Sequence, residues 1–294
     1  MFTIIVCSIR PKEAENLRKN IEATIGVPFE FLAYDNRGTG KGICQVYNEC
    51  AERAKYDYLC FAHEDIEFLT DDWGKKIAEK LQEKDCGVIG FAGSTMKSKF
   101  PSGWSSTSRY GLRMNMVQVE YGNDCLHQLN PYDEDFSKVV TADGLCLFTS
   151  KKTWNEVRFD EKNLKGFHCY DVDYSLGLFS AGYRNYICHK VLVKHTSLGN
   201  HDVVWLRDNL KLHKKWDKHL PMYVNKDKSR FYRNYLEFMT SVEWTYIMSR
   251  NSVFESMQLK HVLRYIATHP TNGRSYKMLV NYLKYRRSAK TISE

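Results

Sequence analysis

The run Tyr58-Leu59-Cys60-Phe61-Ala62-His63-Glu64-Asp65 is apolar until it ends in three side chains able to bind a metal ion. The apolar part reads as a buried strand of a parallel sheet, and the polar cluster then falls at its carboxyl end, where open α/β sheets bind ligands. Burying His, Glu and Asp together without partners costs too much. The cluster should therefore face a cation, a solvated cleft or both.

The elements that must position this cluster alternate. Residues 2–9 form a β-branched run; Ala14, Leu17, Ile21 and Ile25 recur at helical spacing; Pro28 to Tyr34 returns to an extended pattern ending in Asp35-Asn36. Ile43, Val46, Tyr47, Cys50, Ala51 and Ala54 share one helical face, Thr70-Asp71-Asp72 starts a further helix, and Cys86 to Phe91 is another strand. This β-α-β-α-β-α-β order predicts an α/β fold with a doubly wound, mainly parallel sheet. Its strand ends bring Cys7-Ser8, Asp35-Asn36 and His63-Glu64-Asp65 to one edge. Such an edge can hold a nucleotide along Cys7, Ser8, Asn36 and Glu64, with Asp35 accepting from base or ribose and Asp65 holding a divalent ion on a diphosphate. Gly38-Thr39-Gly40-Lys41-Gly42 departs from a phosphate-binding Walker pattern and reads as a turn whose Lys41 can reach phosphate.

From Gly93 to Asp135 the periodicity dissolves into Ser, Gly, Trp, Tyr and Asn, which predicts a long binding loop. Trp104 and Tyr110 within it can stack on an acceptor sugar, and loop packing explains them as well. Val139 to Phe148 resumes the sheet, Val172 to Ala181 is a short helix stopped by Gly182, and Ile187 to Val193 leads to His195. Helical signals follow at 204–215, 231–248 and 259–267.

With 43% hydrophobic and 27% charged residues, the 294-residue chain can bury a core. Its nine cysteines include no Cys-x-x-Cys pair, which argues against a zinc knuckle and for small buried hydrophobes in a reducing compartment. No apolar run approaches the about 20 residues of a membrane helix, so the expected location is cytoplasmic. Charge divides the chain: residues 201–294 carry 18 Lys+Arg against 8 Asp+Glu, whereas residues 1–200 carry 25 against 27. A catalytic domain over 1–200 and a basic helical region over 201–294 are the expected units. The basic tail, with Lys284-Tyr285-Arg286-Arg287, can lie peripherally on an anionic membrane or form a solvated helical end; no nucleic-acid-binding module is recognised.

Over residues 1 to about 200 the chain resembles family 2 glycosyltransferases with the GT-A fold. The resemblance rests on Cys7-Ser8-Ile9, Tyr34-Asp35-Asn36, Tyr47-Asn48, the strand entering His63-Glu64-Asp65, Asp143-Gly144, Tyr170-Asp171-Val172-Asp173-Tyr174 and Ala181-Gly182-Tyr183-Arg184, in family order. It implies a nucleoside-diphosphate sugar donor, a glycan or lipid-linked acceptor, and a divalent cation, Mn2+ or Mg2+, held at Asp65 and completed by His195. It also implies an acceptor base at Asp171 and a single inverting displacement.

Two departures stand out. His63 takes the place of the first Asp of an Asp-x-Asp motif, and Tyr170 replaces the Glu of a Glu-Asp pair. The first shifts metal preference toward transition ions or removes His63 from the shell. The second divides the base assignment between Asp171 and Asp173, with the family register favouring Asp171. Two functions compete: a metal-dependent transferase, and a catalytically silent GT-A-like protein that binds nucleotide or glycan. A nicotinamide-dependent dehydrogenase lacks its Gly-x-Gly-x-x-Gly, where Ser8-Ile9-Arg10-Pro11 stands.

Overall fold

A computed structural model describes residues 1–105, 108–225 and 229–251, with scattered positions as far as 283. The third tail helix expected at 259–267 and the basic cluster at 284–287 lie largely or wholly outside the described residues.

The first ninety residues follow the predicted alternation, with β4 as an unpredicted addition: β1 (Phe2–Ser8), α1 (Pro11–Thr24), β2 (Phe29–Asp35), α2 (Ile43–Arg53), β3 (Tyr58–Ala62), β4 (Ile66–Phe68), α3 (Trp73–Leu81) and β5 (Cys86–Gly90). Then come β6 (Ala92–Ser94), β7 (Met96–Lys97), β8 (Leu112–Glu120), β9 (Asn123–Leu129), β10 (Phe136–Val139), β11 (Thr141–Ala142) and β12 (Cys146–Ser150). The chain continues through α4 (Lys151–Glu156), α5 (Tyr170–Ser180), β13 (Arg184–Cys188), β14 (Val193–His195), α6 (Val203–Trp216), β15 (Met222–Tyr223) and α7 (Arg230–Arg250).

The main sheet has the order β10-β13-β5-β12-β3-β1-β2. β1 pairs in parallel with β2 and β3, and β13 with β5, whereas β12 runs antiparallel between β3 and β5, and β10 closes the edge antiparallel to β13. Five of the seven strands thus share one direction. Strands β1 and β3 are buried on both faces because helices cover both sides; Phe2, Ile4 and Val6 belong to one core, and Ile5, Leu59 and Phe61 to the other.

The expected loop between Gly93 and Asp135 is instead largely strand. β6, β8, β14, β4 and β11 form a second sheet, and β9 pairs with β8 through a two-residue turn at Tyr121-Gly122, both with positive φ. β9 alternates exposed and half-buried polar residues such as Gln128, His127 and Asn123, so its periodicity carries little hydrophobic contrast.

Helix α6 sits on the main sheet domain through Lys215 and Trp216, and α7 joins it through Glu237, which accepts from Ser98 Oγ at 2.5 Å and Tyr223 Oη at 2.9 Å. Among the described residues, no helix is long and apolar enough to cross a membrane.

Candidate active site

Strand register creates the cleft. Ser8 pairs with Asp35 and Val6 with Ala62, so the ends of β1, β2 and β3 lie side by side as the sequence pattern predicts. Just beyond β3, Glu64 is buried and turns back on the first strand. Its carboxylate accepts from Ser8 Oγ at 2.5 Å, from the Arg10 amide at 2.9 Å and from Arg10 Nε at 3.0 Å. Glu64 and Ser8 therefore brace the turn between β1 and α1. Arg10, which motif reading passed over, also reaches Asp65 at 3.4 Å.

The second sheet delivers His195. β14 pairs antiparallel with β4, setting His195 against Ile66, and parallel with β8, setting it against Gln118. His63, Asp65 and His195 then offer ligand atoms that all lie within 4.8 Å of one another. Two opposite ligands at about 2.1 Å from an ion span about 4.2 Å, so a small closure would seat one.

Hydrogen bonding defines both imidazole tautomers. Gln118 Nε2 donates to the carbonyls of His195 and Ser197, which leaves its Oε1 to accept from His195 Nδ1 at 3.1 Å. His195 Nε2 then faces Asp65 Oδ1, 3.6 Å away; it donates there when the imidazole is charged and offers a lone pair to an ion when the imidazole is neutral. Tyr170 has one hydroxyl proton and gives it to the Gly144 carbonyl at 2.9 Å; its oxygen accepts from His63 Nε2, also at 2.9 Å. His63 is left with a lone pair on Nδ1. Partner groups of this kind orient metal-binding imidazoles.

The protonation directions agree with this arrangement. Burial, with the charge of His195 second, brings His63 down to about 4. Burial pushes Asp65 up, but the hydrogen bond and charge of His195 and a hydrogen bond from the Ser197 side chain outweigh it and hold the carboxyl well below its ordinary range. His195 is pulled down by burial yet ends raised through Asp65 and Asp143.

On the other side of the cleft Asp171 opens α5, and its Oδ2 accepts from the Gly144 amide at 3.0 Å. Gly144 is required here: a Cβ would stand 2.2 Å from Tyr170 Oη. Burial raises Asp171, and amide hydrogen bonds from Val172 and Gly144 oppose it. Burial and then the charge of Asp171 push the neighbouring Asp143 up to about 7. Three contacts thus connect the cation-ligand group to Asp171: His63 to Tyr170, Tyr170 to the Gly144 carbonyl, and the Gly144 amide to Asp171.

Asp173, two residues on, is engaged elsewhere. It accepts from Trp216 Nε1 at 2.8 Å and pairs with Lys215 at 2.8 Å, anchoring the end of α6. Asp35 lies at the exposed end of β2 and is paired by Arg37 at 2.6 Å, Asn36 is buried and binds the Lys41 carbonyl, and Lys41 pairs with Glu49 at 2.6 Å. Cys7 is half-buried, and burial pushes its thiol up to about 12, which removes it from thiolate chemistry.

Trp104 is packed against both cores, and its carbonyl accepts from Thr141, two residues before Asp143. Tyr110 is not brought to this cleft. It precedes Leu112, and six residues of extended chain, about 20 Å, separate Leu112 from Gln118 beside His195. Tyr110 lies in the turn that precedes β8, and that strand runs from it toward Gln118. Lys97, also unanticipated, is fully buried; burial lowers its pKa to about 8, and it donates to Ser102 Oγ at 2.8 Å and to the Ser102 carbonyl.

Comparison with known proteins agrees with this architecture. No curated protein matches the chain by sequence. A structure of S. aureus TarS 1-349 in complex with UDP-GlcNAc is 11% identical, with a TM-score of 0.51 over 99% of this chain and 93% of that one. A mannosyltransferase PcManGT from Pyrobaculum calidifontis in complex with GDP-Man and Mn2+ is 9% identical, with a TM-score of 0.48 over 98% of this chain and 88% of that one. GalNAc-T7 with UDP, GalNAc and Mn2+ is 10% identical at a TM-score of 0.44; 91% of this chain spans 57% of that one. The likeness to TarS shows the shared fold, which is of the GT-A type. The model of the glycosyltransferase-like family matches residues 3–229, and with that match over most of its length the chain belongs to this family.

Proposed function

We propose that the chain is a metal-dependent, inverting glycosyltransferase that moves a sugar from a nucleoside-diphosphate donor to a hydroxyl of a glycan or lipid-linked acceptor. The observation that carries this reading is the run of contacts from His63 through Tyr170 and Gly144 to Asp171, which joins a candidate cation site to a buried carboxylate across one cleft.

Asp65, His195 and His63 would hold the cation. Two imidazoles and one carboxylate suit Mn2+ better than Mg2+, which prefers oxygen ligands. A bound divalent ion supplies neutralisation of diphosphate charge. The ends of β1 and β2, with Cys7, Ser8, Asp35, Asn36 and Lys41, form the nucleoside side, and Arg10 adds a positive charge beside Asp65. Glu64 acts there by bracing the β1 turn.

Asp171 takes the proton from the acceptor hydroxyl. The oxygen attacks the anomeric carbon, the bond from that carbon to the diphosphate oxygen breaks, and the nucleoside diphosphate leaves with the electron pair. One displacement inverts the anomeric configuration. A raised pKa makes Asp171 a stronger base than an ordinary aspartate, and amide donors keep its ionised form accessible. Asp173, committed to Lys215 and Trp216, serves as an anchor for α6. The contact of the Trp104 carbonyl with Thr141, two residues before Asp143, supports a role for Trp104 on the acceptor side.

Release of nucleoside diphosphate from a panel of sugar nucleotides, with Mn2+ and with chelator, tests the reading. Release with one donor, stimulated by Mn2+ and abolished by chelator, is expected. Tight donor binding with no release for any acceptor or donor would support the catalytically silent reading instead.

A further inference from the structure

A second cavity, of about 200 Å³, opens where β8, β10, β15 and α7 meet. Arg113, Tyr132, Glu134, Lys138, Tyr223 and Tyr232 are among its walls. That space is enough to admit a ligand of the size of one sugar ring. Arg113 and Gln118 stand five positions apart on β8, about 16 Å, on opposite faces of the strand. The cavity is therefore separate from the cleft.

Arg113 is the unusual wall. It is only 6% exposed, and its Nη1 donates to the carbonyls of Leu112 at 2.7 Å and Tyr110 at 3.2 Å. The guanidinium lies over the Tyr132 ring, 5.4 Å from its centre. Among the described residues it forms no ion pair with a carboxylate, and burial lowers its pKa against the weaker influence of Tyr132, Tyr232 and Glu134. A guanidinium keeps its charge in a protein, so this is a dehydrated cation held rigidly, with the Glu134 carboxylate in the same cavity wall but not ion-paired to it. Lys138 adds a second cation to the walls.

The remaining groups suit a sugar. Tyr223, which donates its hydroxyl proton to Glu237 at 2.9 Å, and Tyr232, which donates to the Tyr110 carbonyl at 3.3 Å, contribute to the cavity wall. Glu134 accepts from Ser137 through Oε2 and has a second oxygen able to accept from a ligand hydroxyl.

We propose that this cavity binds a single saccharide unit bearing a negative charge, a carboxylate or a phosphate. The anion sits on Arg113 and Lys138, and the sugar ring packs against tyrosine. This site stands independently of the catalytic reading, since none of its walls takes part in the proposed transfer.

Titration calorimetry on the full chain with glucuronate, glucose 1-phosphate, glucose and inorganic phosphate tests the proposal. At least one charged sugar should bind tenfold or more tighter than both glucose and phosphate; which one does so identifies the anion. Arg113→Gln should weaken that binding at least tenfold and Lys138→Ala about threefold, with donor hydrolysis unchanged in each. The Asp65→Asn variant should bind the charged sugar as the parent does. Equal binding of glucose, equal binding of phosphate alone, no binding of either charged sugar, or loss of binding in Asp65→Asn would each overturn the proposal. Should Arg113→Gln fail to fold, unchanged binding in the exposed Lys138→Ala variant would overturn it as well.

Discussion

Asp65 and Asp171 are buried aspartates on facing sides of one cleft, 6% and 9% exposed, and their surroundings drive them in opposite directions. Burial raises both. Around Asp65, His195, the Ser197 side chain and His63 outweigh burial; around Asp171, backbone amides and the charge of His168 oppose it and burial prevails. The difference teaches a division of labour between identical side chains. Under the proposed function, the lowered one would stay ionised to hold positive charge and the raised one would be ready to accept a proton.

The largest test of that contrast removes the base. Asp171→Asn should lower transfer about 10³-fold while calorimetry shows donor binding unchanged; wild-type transfer would erase the distinction. Asp65→Asn should instead weaken Mn2+-dependent donor binding about 10²-fold, and an unchanged Mn2+ titration would break the other half of the comparison. Asp173→Asn separates the two carboxylates of α5. It should cost about 2 kcal/mol in denaturant unfolding by loosening Lys215 and Trp216, with kcat of the folded protein within threefold of the parent. A loss of kcat comparable to that of Asp171→Asn would instead assign Asp173 to the base.

Smaller effects sharpen the connection between the sides. Tyr170→Phe keeps the ring packed on Tyr47 and Phe159 but takes away the acceptor of His63 Nε2–H, so Mn2+ affinity should fall about tenfold with little change in Tm. Asp143 tests the acid-raising side through stability. Its folded pKa of about 7 lies above the unfolded value, so its contribution is fully present below the unfolded pKa and is lost as pH rises through about 7. Asp143→Asn should therefore flatten the fall in Tm between pH 5 and 8, by about 3 °C, in calorimetric scans; an unchanged slope would show that Asp143 is not held protonated.

The two departures from the family motif, His63 and Tyr170, are 107 residues apart in sequence and hydrogen-bonded in the fold. Read one at a time, each suggested a weakened site. Together they form one oriented unit, because a tyrosine hydroxyl that gives its proton to Gly144 can accept from an imidazole that a carboxylate would have made unnecessary. Chain pattern could not display that complementarity, since nothing local to either residue encodes the other. Tyr110 shows the reverse case. Its composition suited a sugar platform, but the strand pairing of β8 takes it to the far end of the second sheet.

Periodicity alone was enough to specify the alternating strands and helices of the first ninety residues and to put Ser8, Asp35 and Asp65 at one sheet edge. The reason is that burial on both faces of β1 and β3 leaves long apolar runs whose ends are legible without knowing any partner. The pairing of β14 with β4 and β8 could not be read that way: two three-residue strands and a longer one of mixed polarity carry no register until they meet. That register sets His195 beside Asp65, just as the packing of α5 against Gly144 turns Asp171 inward and Asp173 toward α6. Side chains separated by more than a hundred residues acquire their charge states from neighbours that folding alone brings within reach.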